Sequence, residues 1–400
     1  MARLSEMTVR SWWSTNILLL AAMMICSNNQ IYAQSNPTEI KILEGVESIF
    51  EGNIGSEPTT FIFQFFGDVD SATKKKITKI TGHYYLKKDE ISIPFTGNSD
   101  VANDKINLQL PDGTANLSRS TETMGEATAT VYRGTFKIKN KVFPVSFQEI
   151  MDDLPAYSRS KRQTDIPLLK MDHSTKSAYV GIVIAWPLDD SPESKALRAF
   201  TWDNLVGLES LGEEESNTSR YIAMPNAEDV DVVVQQMKRV QKKLQNLSQL
   251  YLPDSSMPDY QYALNLVYKR DFSSILYQNH SYQEYQFTGG AHGMYGESIL
   301  CINAQTGNIL DVEKRIPANV LPKIPSLLKK YYLSKQNEFL WTKEKPYKSL
   351  SELLFVEEFP GLGPNLYCTD LGLTTYWGLY EIAPYSSGIV KVTIPWKELK

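Results

Sequence analysis

The segment TTFIFQF, residues 59–65, decides how the first part of the chain folds. Its phenylalanines recur at every second position, which is the period of a β-strand that buries one face. Three later segments repeat this period, and the alternating positions are Phe61, Phe63 and Phe65; Ile91, Ile93 and Phe95; Ile106, Leu108 and Leu110; and Phe143, Val145 and Phe147. Residues 87–89 and 111–113 have turn composition. We predict an N-terminal antiparallel β meander or small barrel.

The domain boundaries follow from a change in composition after these strands. Residues 158–164 are polar and basic, and they carry no apolar period that a core could bury. A chain of 400 residues is also longer than the domains that usually form around one hydrophobic core. We place a β-rich domain at residues 34–157, a linker at 158–165 and a second domain at 166–400.

The second domain mixes strands and helices. The apolar run over residues 179–186 predicts a buried strand, and residues 260–268 alternate like a further strand. Residues 226–229 resemble a helix start. Apolar positions then recur in alternating threes and fours at Val230, Val233, Met237, Val240, Leu244, Leu247 and Tyr251. We expect this long amphipathic helix to lie on its own sheet, in preference to a coiled coil, because it has few heptads and strands flank it.

Two shorter helices and a strand-rich end complete the fold prediction. Pro325 suits a first helical turn, and Ser349–Glu352 has the spacing of a capping box. The stretch 366–400 is rich in Tyr, Val and Ile and is broken by glycines, which indicates strands. The predicted fold class is therefore α+β: the N-terminal β domain precedes a mixed α+β domain with an antiparallel sheet and packing helices.

Composition and charge exclude several classes of protein. Apolar residues make up 42% of the chain and charged residues 22%, which is ordinary for a globular protein and disfavours disorder. The formal net charge of −5 provides no field that would hold a phosphate backbone. We expect no nucleic-acid partner.

The N-terminus has the pattern of a secretory signal peptide. Arg3 and Arg10 precede an apolar run over residues 17–26, and Ala33 offers a small residue for cleavage. The run is about half of the ~20 residues that cross a bilayer, so a permanent transmembrane anchor is the less favoured interpretation. We predict a signal peptide at residues 1–33, no transmembrane anchor in the mature chain, and a location in the periplasm or cell envelope.

Removal of that signal peptide leaves two cysteines, Cys301 and Cys368. An even pair in an exported protein permits a disulfide. The alternative is two separate small core residues, because the sequence does not report the Cα separation that a disulfide needs. Two cysteines are too few for a structural zinc site, and the four histidines have no metal-ligand spacing. We predict no metal and no cofactor.

The string FTGGAHG at residues 287–293 is the most unusual local feature. Three glycines within five residues indicate backbone angles or a close approach that a side chain would forbid. Three roles stay open for His292 within it: a ring that hydrogen-bonds the turn and holds its shape, a ligand contact, or a general base. The sequence has no HExxH, no Gly-x-Ser-x-Gly and no Walker loop, which are motifs of common hydrolases and nucleotide-binding proteins.

Two ordered blocks carry a resemblance to a known family. The first is QFTGGAHG at residues 286–293, followed by a strand that closes in QTG at 305–307. The second is YEIAPYSSG at residues 380–388, followed by VTIP at 392–395. This C-terminal part resembles the extracytoplasmic domain of unknown function, family 3298, that RsiV-type anti-sigma factors and PdaC-type peptidoglycan deacetylases share. The resemblance implies an α+β sensing or binding domain, which in the RsiV branch binds lysozyme.

We therefore predict a noncatalytic envelope protein whose C-terminal domain binds a protein or cell-wall-derived ligand, with lysozyme as the sharpest candidate. The resemblance does not imply an enzyme, because the chain lacks the His-x-x-x-His motif of the deacetylase domain. Lysozymes are generally basic, and the acidic runs Asp189-Asp190, Glu213–Glu215 and Glu357-Glu358 would speed their encounter. The predicted ligand-binding residues are Gly290, His292, Tyr295, Tyr380, Glu381, Pro384 and Tyr385.

Two other functions stay open on the sequence. A wall- or glycan-active hydrolase would use carboxylates in a cleft between the two domains. A structural envelope component would dock through its β-rich first domain, although a stripe such as Phe61, Phe63 and Phe65 is more often core than binding surface.

Overall fold

Strands dominate the described part of the chain, and three α-helices accompany them there. The structure is a computed structural model that describes residues 40–43, 45–69, 76–86, 92–100, 104–124, 127–138, 141–149, 164–165, 168–174, 178–210, 223–250, 262–274, 276–287, 292–338 and 346–400. The strands in chain order are β1 (Lys41–Leu43), β2 (Gly45–Ile54), β3 (Glu57–Val69), β4 (Lys76–Leu86), β5 (Ser92–Asp100), β6 (Lys105–Leu110), β7 (Gly113–Met124), β8 (Ala127–Ile138), β9 (Lys141–Glu149), β10 (Thr164–Asp165), β11 (Leu168–Ser174), β12 (Ala178–Ala185), β13 (Tyr262–Asp271), β14 (Tyr277–Phe287), β15 (Met294–Asn303), β16 (Asn365–Cys368), β17 (Gly372–Trp377) and β18 (Val390–Pro395). The helices are α1 (Pro192–Ser210), α2 (Val230–Leu250) and α3 (Ile324–Glu338).

Strands β2 to β9 form a closed antiparallel barrel. Each strand pairs with the next one in sequence, and β2 also pairs with β9, where Gly52 stands opposite Phe147. Closure removes the exposed sheet edges of these strands. Aromatic rings fill the interior: Phe61 stacks on Phe147 with centroids 4.2 Å apart, and Phe50 meets Phe63 edge to face at 5.3 Å. The predicted small barrel is confirmed, and Phe61 and Phe63 belong to its core.

The second sheet has six strands in the order β1, β11, β12, β13, β14, β15. Its pairs are antiparallel except for β12 with β13, which run parallel. A parallel pair needs a long crossover connection, and α1 and α2 lie between these two strands in the chain. The short strand β1 pairs with β11, while β10 pairs with β2 of the barrel. The domain boundaries stay predictions, since linker residues 158–163 and the predicted signal peptide lie outside the described residues.

Helices α1 and α2 pack on this second sheet. Val233, Met237 and Val240 of α2 are fully buried and share a core with strand residues such as Ile182. The predicted amphipathic helix, and its packing on a sheet, are therefore confirmed. The sequence patterns do not predict α1, because polar residues such as Arg198 share its buried face.

The C-terminal core combines α3 with a three-stranded antiparallel sheet of β16, β17 and β18. Leu328 of α3 belongs to one apolar cluster with Tyr376 and Ile394. The 3-10 turn Leu350–Glu352 has the predicted capping box, with Ser349 and Glu352 bonding each other's backbone reciprocally. The strand-rich C-terminal end and the helix predicted at Pro325 are confirmed, whereas the capping box begins only the 3-10 turn Leu350–Glu352 and not the predicted short helix.

The outer surface of the barrel docks against the C-terminal core. Ile49, Ile62 and Tyr85 belong to the core cluster of the C-terminal region rather than to the barrel interior. Tyr85 also donates its hydroxyl proton to the Ser273 carbonyl oxygen at 2.6 Å. Apolar and polar contacts therefore both tie the barrel to the rest of the chain.

A buried ionic centre, made of Glu47, Glu193, Arg270 and His280, joins the barrel to the second sheet. The Arg270 guanidinium donates from Nε to Glu47 Oε1, and its Nη2 lies 3.4 Å from Glu193 Oε1. His280 Nε2 lies 3.7 Å from the same Glu193 oxygen, and its Nδ1 shares a hydrogen bond with Tyr268 Oη at 2.9 Å. All these side chains are buried. Two carboxylates offset the cost of removing the arginine charge from water.

Candidate ligand-binding site

The aromatic cluster consists of His292, Tyr295, Tyr380 and Tyr385, and two parts of the fold supply it. His292 and Tyr295 lie at the beginning of β15, after the connection from β14. Tyr380 and Tyr385 lie in the connection between β17 and β18. The six-stranded sheet therefore provides one half of the aromatic cluster, and the three-stranded sheet provides the other half.

The four rings contact one another closely. The imidazole of His292 stacks on the Tyr385 ring with centroids 3.7 Å apart and an interplanar angle of 20°. Tyr295 meets Tyr385 edge to face at 6.4 Å, and Tyr380 lies 5.8 Å from Tyr385. Tyr385 is thus the central ring, and residues about ninety positions apart in the sequence meet around it.

Hydrogen bonds fix the orientation of His292. Its Nδ1 lies 3.2 Å from the Gly293 carbonyl oxygen, which can only accept, so Nδ1 is the donor of this hydrogen bond. Nε2 then accepts from the Tyr380 hydroxyl, which is 3.1 Å away. Both ring nitrogens are engaged within the aromatic cluster. This arrangement fits the shape-holding role, one of the three roles that the sequence leaves open for His292.

Two backbone features near the aromatic cluster are unusual: the positive φ of Tyr380 and the glycine at position 293. Tyr380 has a φ of 64°, which is rare for a residue with a side chain and costs on the order of 1–3 kcal/mol. Its side chain is nevertheless 48% exposed. On the other side, a Cβ at Gly293 would lie 2.4 Å from the Tyr285 ring, so glycine permits a close approach that another residue would block. The surrounding structure therefore holds an exposed tyrosine in a conformation that it would not adopt alone.

The remaining predicted site residues have different positions. Pro384 has extended backbone angles and immediately precedes the 3-10 turn that carries Tyr385. Glu381 is exposed, and its backbone N–H donates to the Gly378 carbonyl oxygen at 3.4 Å. Gly290 lies outside the described residues. The structure brings together the four ring-bearing residues of the prediction and leaves Glu381 at their edge.

Burial affects two phenols of the aromatic cluster. Desolvation raises the pKa of Tyr295, and a backbone hydrogen bond with Ile389 opposes this shift. Desolvation also raises the pKa of Tyr385, with a smaller contribution from Tyr380 in the same direction. Tyr295 and Tyr385 therefore offer neutral rings and hydroxyl groups to a ligand.

Three exposed acids, Glu357, Glu358 and Glu381, lie in two adjoining segments, one of which carries Tyr380, and we call them the acidic rim. The backbone N–H of Phe355 donates to the Ile382 carbonyl oxygen at 2.8 Å, which places the segment of Glu357 and Glu358 beside the connection that carries Tyr380. All three acids are exposed. Phe355 is itself 64% exposed and adds apolar surface there. The sequence identifies the acidic pair, but only the fold places it near the rings.

An ion pair behind the rings is missed by the sequence patterns. Lys391 Nζ lies 2.6 Å from Glu297 Oε2, and it also lies 5.1 Å above the Tyr376 ring centroid. The Tyr376 hydroxyl donates to the Glu297 carbonyl oxygen. These contacts join β15 to β17 and β18, directly below the aromatic cluster. Strand alternation predicts that Glu297 lies on β15 and Lys391 on β18. It does not predict that the two side chains form an ion pair, because that contact requires the two sheets to pack together.

Cys301 and Cys368 lie side by side beneath the same junction. The Cys368 backbone N–H donates to Cys301 Sγ at 3.4 Å. Both residues are buried and both are free thiols. Both are core residues on strands, as one alternative describes, and they are also neighbours, as a disulfide requires, so both alternatives stay open.

Acidic side chains at the barrel junction give no support to the hydrolase alternative. Glu47 and Glu193 there are buried and bonded to Arg270, so they do not face an open cleft. No carboxylate of the described residues hydrogen-bonds to His292, and no group of metal-binding side chains occurs among them.

Comparison with known proteins identifies the class of the C-terminal part. Residues 313–397 match the family model described as "Protein of unknown function (DUF3298)". The resemblance predicted from the sequence is thereby confirmed for this region. None of the curated proteins matches the chain.

Two solved structures of that family are similar to this chain. One is a DUF3298 family member, BF2082 from Bacteroides fragilis, which is 17% identical with a TM-score of 0.44; the match covers 58% of this chain and 91% of that chain. The other is the DUF3298 family protein PA4972 from Pseudomonas aeruginosa, which is 16% identical with a TM-score of 0.36; the match covers 59% and 92%. Among the described residues, no helix has the length and apolar character needed to span a membrane.

Proposed function

We propose that this chain is an exported, noncatalytic protein that binds a basic protein ligand through its aromatic cluster, and that lysozyme is the first ligand to test. The observation that supports this most is the engagement of both His292 nitrogens beside an exposed Tyr380. The imidazole contacts Tyr380 and Tyr385, and the Tyr380 ring is exposed to a partner. Export is supported by the signal-like pattern at residues 1–33.

The rigidity of the cluster favours binding. Tyrosine is enriched among residues that dominate interface energies, because a large ring contributes contact area with few rotatable bonds. Here Tyr385 is stacked on His292, and Tyr380 is hydrogen-bonded to it. Little side-chain freedom is left to lose when a ligand arrives, which reduces the entropic cost of association.

The charge of the surroundings favours a basic ligand. The acidic rim is exposed, whereas Glu297 behind the rings is neutralised by Lys391. Uncompensated acids near a contact surface attract cationic partners and raise the association rate, and salt screens this effect. Lysozymes are generally basic, so their charge matches this surface.

Titration calorimetry of the full chain with lysozyme tests the proposal. We expect saturable heat, and we expect Tyr380→Ala or Tyr385→Ala to weaken binding at least about tenfold, the loss typical of an interface hot spot. Tyr331→Ala is the matched control, because this tyrosine lies on α3 and bonds Glu398 beyond the opposite end of β18. Absence of heat and of any complex at high micromolar concentration would refute lysozyme as the ligand.

The acidic rim is tested separately by the association rate. Glu357→Gln with Glu358→Gln is expected to slow association at low salt and to leave the dissociation rate nearly unchanged. The control exchanges Asp203→Asn and Asp231→Asn, two exposed acids on α1 and α2. Equal effects of the two double variants would show that only net charge matters and would contradict a local rim.

A further inference from the structure

The two cysteines occupy a junction between sheets. Cys301 lies on β15 of the six-stranded sheet, and Cys368 lies on β16 of the three-stranded sheet. Their side chains are 4% and 0% exposed. The Cys368 backbone N–H donates to Cys301 Sγ at 3.4 Å, so the two cysteines are neighbours across the junction.

The local contacts favour reaction between these two thiols over reaction with solvent. Asn279 Nδ2 donates to the Cys368 carbonyl oxygen at 2.9 Å, and Asn279 itself stands opposite Cys301 in the β14–β15 register. This bond ties Cys368 to β14, the strand that pairs with β15 at Cys301. The hydrogen bond from Cys368 also lowers the pKa of Cys301 and raises that of Cys368, which makes Cys301 the better nucleophile.

We propose that Cys301 and Cys368 form a disulfide when the protein folds in an oxidising compartment. The Cys301 thiolate attacks a disulfide oxidant, such as oxidised glutathione, and forms a mixed disulfide with release of one reduced thiol. The Cys368 thiol then loses its proton and displaces the second thiol, which leaves the Cys301–Cys368 bridge. In total the two protein thiols lose two electrons and two protons, and the oxidant gains them.

The bridge would fix the two sheets that supply the aromatic cluster. It closes the long segment 302–367, and closure of a long loop restricts the unfolded chain strongly. It also links β15, which begins beside His292, to the β16–β17 hairpin, which leads to Tyr380. The bridge itself does not depend on the proposed function, because its formation is measured on the thiols and not on ligand binding.

Refolding with defined oxidants tests the bridge. The full chain carrying Cys26→Ser has Cys301 and Cys368 as its only thiols, since the sequence has three cysteines. After refolding in a buffer of oxidised and reduced glutathione, the chain is denatured, treated with iodoacetamide and weighed by mass spectrometry. We expect no alkylation, a mass lower by two hydrogen atoms, and a linked pair of peptides after digestion. Two alkylated cysteines, a glutathione adduct or a bridged dimer would overturn the proposal.

Stability measurements separate a structural bridge from an incidental one. We expect reduction to lower the melting temperature of this chain by roughly 5 °C, from the size of the closed loop and the length of the chain. Additional Cys301→Ser and Cys368→Ser substitutions provide the control, whose melting temperature should not respond to reductant. If the bridged chain melts at the same temperature before and after reduction, the stapling role is wrong.

Discussion

Two histidine–tyrosine pairs in this protein have the same chemistry and opposite surroundings. His292 and Tyr380 share a hydrogen bond of 3.1 Å at the surface, in the aromatic cluster. His280 and Tyr268 share one of 2.9 Å in the interior, beside the buried ionic centre. The surface pair has Tyr385 and solvent around it, whereas Arg270 and Glu193 adjoin the buried pair. The comparison shows that a hydrogen-bonded pair does not reveal its role until its burial is known.

Burial changes what each pair contributes. Removing one partner from a buried polar network leaves the others without compensation in a medium of low dielectric constant, which is costly. At the surface, water replaces the lost partner at little cost. We therefore expect the buried pair to determine stability and the surface pair to determine recognition, and the following predictions test this division.

The largest effect is expected for Arg270→Met. This change leaves Glu47 and Glu193 buried without their cation, and breaking a buried ion pair in this way typically costs about 3–5 kcal/mol. Urea denaturation measures the loss in the free energy of unfolding. Lys314→Met removes an exposed pair with Asp311 and should leave the midpoint unchanged. A similar small effect for Arg270→Met would mean that the ionic centre does not hold the barrel to the second sheet.

An intermediate effect is expected when each tyrosine loses only its hydroxyl group. Tyr268→Phe leaves His280 Nδ1 without its bond in the interior and should cost about 1–3 kcal/mol of stability. Tyr380→Phe should leave stability nearly unchanged, because its partner His292 is exposed and can bond water. Thermal or urea unfolding of both variants measures the contrast. Equal losses of stability would remove the distinction between the two pairs.

The smallest effect is an acid sensitivity that arises in the interior. Burial lowers the pKa of His83, with help from Lys269 and Arg270, and burial together with Arg270 lowers the pKa of His280. The unfolded chain therefore binds more protons than the folded one once the pH falls below about 6.5, the ordinary histidine value, so stability decreases as the pH falls through that point. Unfolding curves at a series of pH values measure the slope.

A substitution at His83 provides the control for this pH dependence. In the described residues the Nε2 of His83 has no hydrogen-bond partner, so His83→Phe removes a titrating group without breaking a bond from that atom. We expect a shallower loss of stability in acid for this variant. A pH profile identical to that of the unchanged chain would show that His83 does not contribute.

Sequence patterns predict the individual strands and helices of this fold better than the contacts between them. The alternation around Phe61 and the threes and fours from Val230 correctly predict a barrel strand and a packing helix, because each pattern reports one buried face. These patterns do not reveal that Ile49 and Ile62 lie on the outer face of the barrel and pack on the C-terminal core. Strand alternation tells which residues share a face, but it does not tell what covers that face.

For the candidate site, the sequence likewise predicts the residues but not their contacts. The two family-like blocks contain His292, Tyr380 and Tyr385, so composition and order are sufficient to select them. Their stacking, and the position of the acidic rim beside them, require the six-stranded and three-stranded sheets to meet. Lys391 and Glu297 carry no local motif, and their pairing follows from strand registers in two different sheets.

The sequence by itself determined the α+β class, the period of its strands and long helix, and the identity of the aromatic residues. These depend on local preferences and on one-dimensional spacing, which a chain carries before it folds. Tertiary structure alone decided which histidine–tyrosine pair is buried with Arg270, which one faces solvent, and that Cys301 and Cys368 are neighbours. Burial and proximity arise only when separate sheets pack, because distance along a chain does not specify distance in space.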